Sequence, residues 1–268
     1  MIILAIETTG PKASVALINE DGDISEKTSD EEMNHLKGLV PMIKALIDEC
    51  GCLASDIQYI AASVGPGSFT GIRIGVATAR ALAQAWAIQT VSVPTLESFV
   101  YNLGGNNIIT QSSNDNQNGI ALICPIFDAR RSQIYSGAYC LKNGKPSALL
   151  SGDAWDFEIF SETLAGLLKE QDGKYKKIVF FGDGLSIYDE RIQSWTRSFD
   201  LGIETVIAAD IDRYQKASSV ARMAYVLANE GACGHYSSLL PVYMRKAEAE
   251  RKREELGGSI GVFDNGKT

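Results

Sequence analysis

A strand-like run, a Gly-rich bend and a helix-like run follow one another without interruption between residues 59 and 86, and this unit constrains the fold more than any other segment. Tyr59-Ile60-Ala61-Ala62-Ser63-Val64 reads as a buried strand, and Ile72 to Trp86 reads as a helix. Between them lies Gly65-Pro66-Gly67-Ser68-Phe69-Thr70-Gly71, running on into Ile72-Arg73-Ile74-Gly75. Such a bend points backbone N–H groups and the positive end of a helix dipole outward. Gly65, Gly67, Ser68, Thr70, Gly71 and Arg73 therefore form either an anion-binding loop or a structural one. No Lys-Ser/Thr follows the last Gly, and the spacing of a dinucleotide fingerprint is absent.

The rest of the chain repeats the alternation. Ile2 to Glu7, Ala13 to Asn19 and Ile24 to Thr28 read as strands, with a hairpin turn at Asp21-Gly22. A helix then runs to about Cys50 and stops at Gly51, with Ser29 and Glu32 as a capping box at an early start. A short strand at Thr90 to Val93 and a helix from Thr95 complete the first part. The predicted division is 1–104 for a first half, 105–119 for a flexible linker rich in Gly, Asn, Gln and Ser, 120–246 for a smaller second half, and 247–268 for a flexible tail. In the second half, Ile120 to Phe127, Ser132 to Cys140 and Lys177 to Phe181 read as strands, and Phe157 to Glu170 and Ser218 to Asn229 as helices. The last of these helices is free to pack back on the first half. The order βββαβα, met twice and less regularly the second time, resembles the actin/hexokinase/Hsp70-like ATPase fold (ASKHA), an α/β class with two facing halves, here with the second eroded.

Two helices look too apolar for a free surface. In the first, Leu36, Leu39, Val40, Ile43, Leu46, Ile47 and Cys50 make a stripe that can cover a sheet, beside a softer stripe of Gly38, Met42 and Ala45. Pro41 lies inside it. In the second, Gly71, Gly75 and Ala79 stand four apart, Ala83 continues the row, and Trp86 ends the helix. A helix apolar nearly all round is covered on more than one side. Either later segments of the chain cover it or a partner does. The partner reading makes Gly38, Met42, Ala45, Gly71, Gly75, Ala79, Ala83 and Trp86 the interface, so Met42→Glu or Ala79→Glu is expected to weaken pairing and leave the monomer folded.

A net charge of −8 argues against independent binding to a nucleic-acid backbone, although a local basic patch stays open. Five Cys with no Cys-x-x-Cys pair read as free thiols in a reducing compartment. No signal peptide or membrane-spanning run is visible, so a cytoplasmic location is expected. The two histidines, His35 and His235, are too far apart in sequence to form an i, i+4 ligand pair, and no nucleophile–base arrangement can be argued.

Ile3-Leu4-Ala5-Ile6-Glu7-Thr8, Ser14-Val15-Ala16-Leu17, the Gly65–Gly75 string, Phe127-Asp128-Ala129-Arg130-Arg131 and Pro241-Val242-Tyr243-Met244-Arg245 together resemble the TsaB (YeaZ) family over roughly residues 1 to 247. The resemblance implies a non-catalytic scaffold or activator subunit of the complex that adds threonylcarbamoyl to N6 of adenosine 37 in tRNA. It implies a TsaD-type catalytic partner of the same fold, a TsaE-type ATPase, a homodimer when the chain is alone, and contact with tRNA only through the complex. It implies no catalytic residue, no metal and no resident cofactor, with weak nucleotide binding left open. The metal-holding His-x-x-x-His of the catalytic paralogue has no counterpart at Pro94-Thr95-Leu96-Glu97-Ser98-Phe99-Val100-Tyr101. By the same fold analogy, Glu7, Asp128 and Arg130 are expected at the cleft between the halves. A nucleotide-binding kinase or hydrolase of the actin-like fold is the alternative. Arg130 is either half of a structural ion pair or a residue that contacts an anion or fixes the angle between the halves, and Tyr243 and Arg245 read either as anchors of the C-terminal segment or as contacts for a partner.

Overall fold

The computed structural model describes residues 1–29, 35–102, 120–171, 173–198 and 202–245. The expected linker at 105–119, the tail at 247–268 and Glu32 of the expected capping box lie outside the described residues.

The first half contains β1 (Ile3–Glu7), β2 (Ser14–Ile18), β3 (Ile24–Thr28), α1 (His35–Glu49), β4 (Tyr59–Gly65), α2 (Phe69–Trp86), β5 (Gln89–Pro94) and a short α3 (Thr95–Ser98) that passes into a 3₁₀ turn. The second contains β6 (Ile120–Asp128), β7 (Gln133–Lys142), β8 (Lys145–Asp156), α4 (Phe157–Glu170), β9 (Tyr175–Phe181), α5 (Leu185–Ser198) and β10 (Glu204–Ile207). The short α6 (Asp210–Arg213) and α7 (Ala217–Asn229) follow. The strands form two five-stranded sheets, ordered β3-β2-β1-β4-β5 and β8-β7-β6-β9-β10. Strand for strand the two orders correspond, and this is the doubled α/β architecture of the actin/hexokinase-like class. The second copy keeps all five strands. Its irregularity lies in the β7–β8 register shifts and in β10, which is only four residues long.

Strand burial follows position in the sheet. β1 is buried at every residue, as a central strand covered on both faces must be. β3, Ile-Ser-Glu-Lys-Thr, is the edge strand, and its exposed Ser25 and Glu26 suit an edge that should not recruit another chain.

α1 and α2 pack on one face of the first sheet through Leu39, Ile43, Leu46, Ile72, Val76, Ala79 and Ala83. The stripe of α1 is narrower than its sequence suggests, because Val40 is 53% exposed and Cys50 is also exposed. The opposite face is covered by α7, whose Val220, Ala221 and Ala224 pack against Ile3, Ala5, Val91 and Val93. Chain order and packing therefore part company: α7 follows the second sheet in sequence and lies on the first. Asn102 secures that return. Its amide donates to the carbonyls of Asp212 and Tyr214 at 3.1 and 2.9 Å, and its Oδ1 accepts from Ser219 Oγ at 2.7 Å. Among the described residues no helix is long and apolar enough to cross a membrane.

Asn102 is only 6% exposed. Asn102→Ala leaves two part-buried carbonyls and the buried Ser219 hydroxyl unpaired, so a loss of about 2–4 kcal/mol is expected in urea unfolding.

Candidate functional site

The bend after β4 is built by close backbone approach. A Cβ at Gly71 would collide with the carbonyl oxygen of Thr8, and one at Gly67, where φ is +152°, would meet Thr9 at 2.7 Å. Thr8 Oγ1 donates to the Gly71 carbonyl at 2.7 Å, and Ser68 N donates to the Thr9 carbonyl at 2.8 Å. The first turn of α2 thus lies directly on the β1–β2 hairpin. Ser68 caps α2 by accepting from Gly71 N at 3.2 Å. Gly65 and Gly71 are spent on packing, Gly67 and Ser68 reach the cleft, and Thr70 and Arg73 are exposed.

This geometry corrects the expected interface. Gly71, Gly75, Ala79 and Ala83 lie on the inner side of α2, where Ala79 and Ala83 are fully buried and Gly75 backs on Thr8. Small residues at this spacing admit the chain's own sheet and hairpin, so they offer no surface to a partner. The outer face of α2 carries exposed Ala77, Ala81 and Ala85, with half-buried Ile74, Leu82 and Trp86 beside them. Gly38 is exposed and Met42 and Ala45 are half-buried.

Glu7 is also displaced from its expected place. It is fully buried and lies beneath the hairpin rather than on the cleft wall. Its Oε1 accepts from Thr9 N and from Thr9 Oγ1 (2.6 Å), and its Oε2 accepts from Ser63 Oγ. Burial pushes its carboxyl above the usual range, against those hydrogen bonds. This carboxylate holds its own loop and has little capacity left for a metal.

Between the halves lies a cleft of ≈ 400 Å³ whose wall includes Gly10, Ser68, Phe69, Asp128, Asp183 and Gln215. Asp128 and Arg130 line it, joined by a 3.0 Å ion pair. Its floor is acidic. Burial, with a smaller contribution from the Asp128 charge and against backbone hydrogen bonds that lower it, pushes the Asp183 carboxyl up to about 6. Asp183 Oδ1 and Gln215 Oε1 are buried without a hydrogen-bond partner. Among the described residues, no group of three His, Cys, Asp or Glu side chains could hold a metal ion. Gln215 carried no motif in the sequence, and Asp183 only a short Gly-Asp-Gly.

Arg130, Arg131 and Ser132 occupy the left-handed region in succession, with φ of 63°, 56° and 60°. Each costs about 1–2 kcal/mol in a non-glycine residue. The turn is held by Arg130 N donating to Asp128 Oδ1 (2.7 Å) and Gln133 N donating to the Arg130 carbonyl (3.1 Å). Arg245 adds Nη1 contacts to the carbonyls of Ala129 and Arg130. Arg245 ends a strap that also ties to the first half. Val242 N donates to the Val64 carbonyl at 2.8 Å, and Tyr243 OH accepts from Arg73 Nε at 2.8 Å. Tyr243 and Arg245 thus tie the C-terminal segment to both halves.

The Asp183 shift has a sign. An unfolded Asp ionises near 4, so between about pH 4 and 6 the native state holds a proton that the unfolded state has lost, and stability falls as pH rises through that window. Asp183→Asn is expected to flatten this part of the stability–pH curve. It should also raise stability at pH 7 by about 3 kcal/mol, read by urea unfolding at several pH values.

A family model described as TsaD, tRNA N6-adenosine threonylcarbamoyltransferase, matches residues 27–253. The tRNA threonylcarbamoyladenosine biosynthesis protein TsaB of Bacillus subtilis (strain 168) is 32% identical over 94% of this chain and 97% of its own. The protein of that name from Escherichia coli (strain K12) is 31% identical over 52% of this chain and 55% of its own. Among solved structures, YeaZ from Pseudomonas aeruginosa superposes with a TM-score of 0.65 at 22% identity, covering 90% of this chain and 99% of that one. A second, described as similar to the peptidase YeaZ of that organism, gives 0.66 at 24% identity, covering 91% and 99%. The near-complete alignment with the Bacillus protein, on the fold that YeaZ shares, means that this chain belongs to the TsaB (YeaZ) family.

Proposed function

We propose that this chain works in the synthesis of N6-threonylcarbamoyladenosine in tRNA, as a non-catalytic subunit that holds a TsaD-type catalytic paralogue in its working arrangement. A TsaE-type ATPase would join the pair, and a homodimer would form when the paralogue is absent. The observation that carries this reading is the outer face of α2. Ala77, Ala81 and Ala85 stand exposed in a row, flanked by half-buried Ile74, Leu82 and Trp86. Val40, Met42 and Ala45 of α1 add to the apolar surface of this layer. Two such helices from each partner suit an interface of about 1,600 Å². The site chemistry agrees with a supporting role. Glu7 is consumed by its own loop, and the cleft floor presents the carboxylates of Asp128 and Asp183, which repel the phosphates of any nucleotide bound there. This disfavours the kinase or hydrolase alternative.

Light scattering on a size-exclusion column, with the chain alone and then mixed with a TsaD-type protein of the same organism, tests the proposal. A discrete mixed complex is expected. Ala81→Glu should weaken it at least about tenfold, near 1.4 kcal/mol, while leaving the melting temperature unchanged because Ala81 is exposed. Ala79→Glu, in contrast, should cost several kcal/mol of fold stability, because it buries an unpaired charge. A chain that ignores the paralogue, or an Ala81→Glu variant that pairs normally, would overturn this assignment of the face.

A further inference from the structure

We infer that the rim of the interdomain cleft is an RNA contact surface, built from Lys12, Arg73, Arg130 and Arg131 with the rings of Phe69 and Tyr243. The inference rests on the proposed role in tRNA modification and adds a direct contact by this chain within the assembled complex.

The first observation is charge placement. The chain as a whole carries −8, yet five cations gather at one place. Arg130 lines the cleft with its side chain 86% exposed, and Arg131 is exposed beside it. Arg245 touches the carbonyls of the same turn. Lys12 is exposed and follows Pro11, another wall residue. Arg73 projects from the first turns of α2 over Phe69, also on the wall. Among the described residues, no carboxylate pairs with Lys12, Arg73 or Arg245. Asp128 does pair with Arg130, but it lies inward, with its side chain 15% exposed.

The second observation is aromatic. Phe69 and Tyr243 are each 41% exposed, with ring centroids 5.0 Å apart. The Arg73 guanidinium stands 3.8 Å from the centre of the Phe69 ring. Exposed rings interleaved with arginine are what unstacked bases of an RNA loop stack upon, while neighbouring cations take the phosphates.

The third is the contrast between rim and floor. A free nucleotide bound in the cleft would share it with Asp128 and the unpartnered Asp183 Oδ1, which repel phosphate. An extended phosphodiester backbone can follow the exposed cations and stay out of the cleft. The left-handed turn at Arg130–Ser132, clamped by Arg245, explains how two adjacent arginines are held outward. α2 links this rim to the proposed pairing face, since its first turn lies at the cleft and its exposed alanines run away from it. RNA held by a catalytic partner could therefore extend onto the rim.

The test uses Lys12→Ala with Arg130→Ala, residues that lie on neither α1 nor α2, in the complete complex with its catalytic partner. Assembly is verified by light scattering, and binding of unmodified tRNA is measured by fluorescence anisotropy at several salt concentrations. Losing two phosphate contacts should weaken binding about tenfold near physiological salt and lower the log–log salt slope by about 1.4. An unchanged affinity and slope in a variant complex that still assembles and modifies tRNA would overturn the RNA surface and leave the proposed function standing. Loss of Mg–ATP binding in calorimetry with tRNA affinity intact would assign the cations to a nucleotide and overturn it as well. Failure of the wild-type chain to assemble or to support modification would remove the proposed function, and this surface with it.

Discussion

The first turn of α2 pressed onto the β1–β2 hairpin is the contact on which the rest of this molecule depends. Backbone meets backbone there: the Thr8 carbonyl occupies the place where a Gly71 side chain would be, and Ser68 N donates to the Thr9 carbonyl. Beneath it the buried carboxylate of Glu7 gathers Thr9 and Ser63 into one hydrogen-bonded knot. A buried carboxyl is costly unless hydrogen bonds surround it, so the knot rigidifies the hairpin as it satisfies the group. The hairpin and the helix start are thus occupied with one another.

The two halves are joined by more than the chain that runs between them. α7 returns from the second sheet to cover the first, and the Asn102 amide fixes the turn that makes this possible. The strap at residues 240–245 then crosses the cleft, bound to Val64 and Arg73 on one side and to Ala129 and Arg130 on the other. Both ties hold the cleft at a set opening.

The strands and helices of the first half were legible because their burial is periodic and their ends are marked: Ile3 to Glu7 is continuously apolar until its final Glu, and Gly51 follows the first helix. β8 and α5 were not. β8 contains Pro146 and Gly152 and pairs with β7 through register shifts, so its burial never alternates cleanly. α5 buries only Leu185, Tyr188 and Ile192, too thin a stripe to stand out in a polar segment. The glycine and alanine row of α2 was legible as a close approach but not as to what approaches. Small residues admit a sheet, a hairpin or a partner helix equally well, and only the placement of Thr8 decides among them.

Sequence alone determined the family, the doubled α/β order and the presence of a Gly-rich strand–helix bend, because these rest on local propensity, periodicity and a specific string of residues. Tertiary structure decided which face of α2 is outside, that Glu7 is enclosed by its own loop, and that Lys12, Arg73, Arg130, Arg131 and Arg245 border one cleft. Those residues are separated by up to more than two hundred positions in the chain. Their charges become a surface only when the strap and the left-handed turn fold them to the same side of the cleft, and no local pattern in the sequence encodes that convergence.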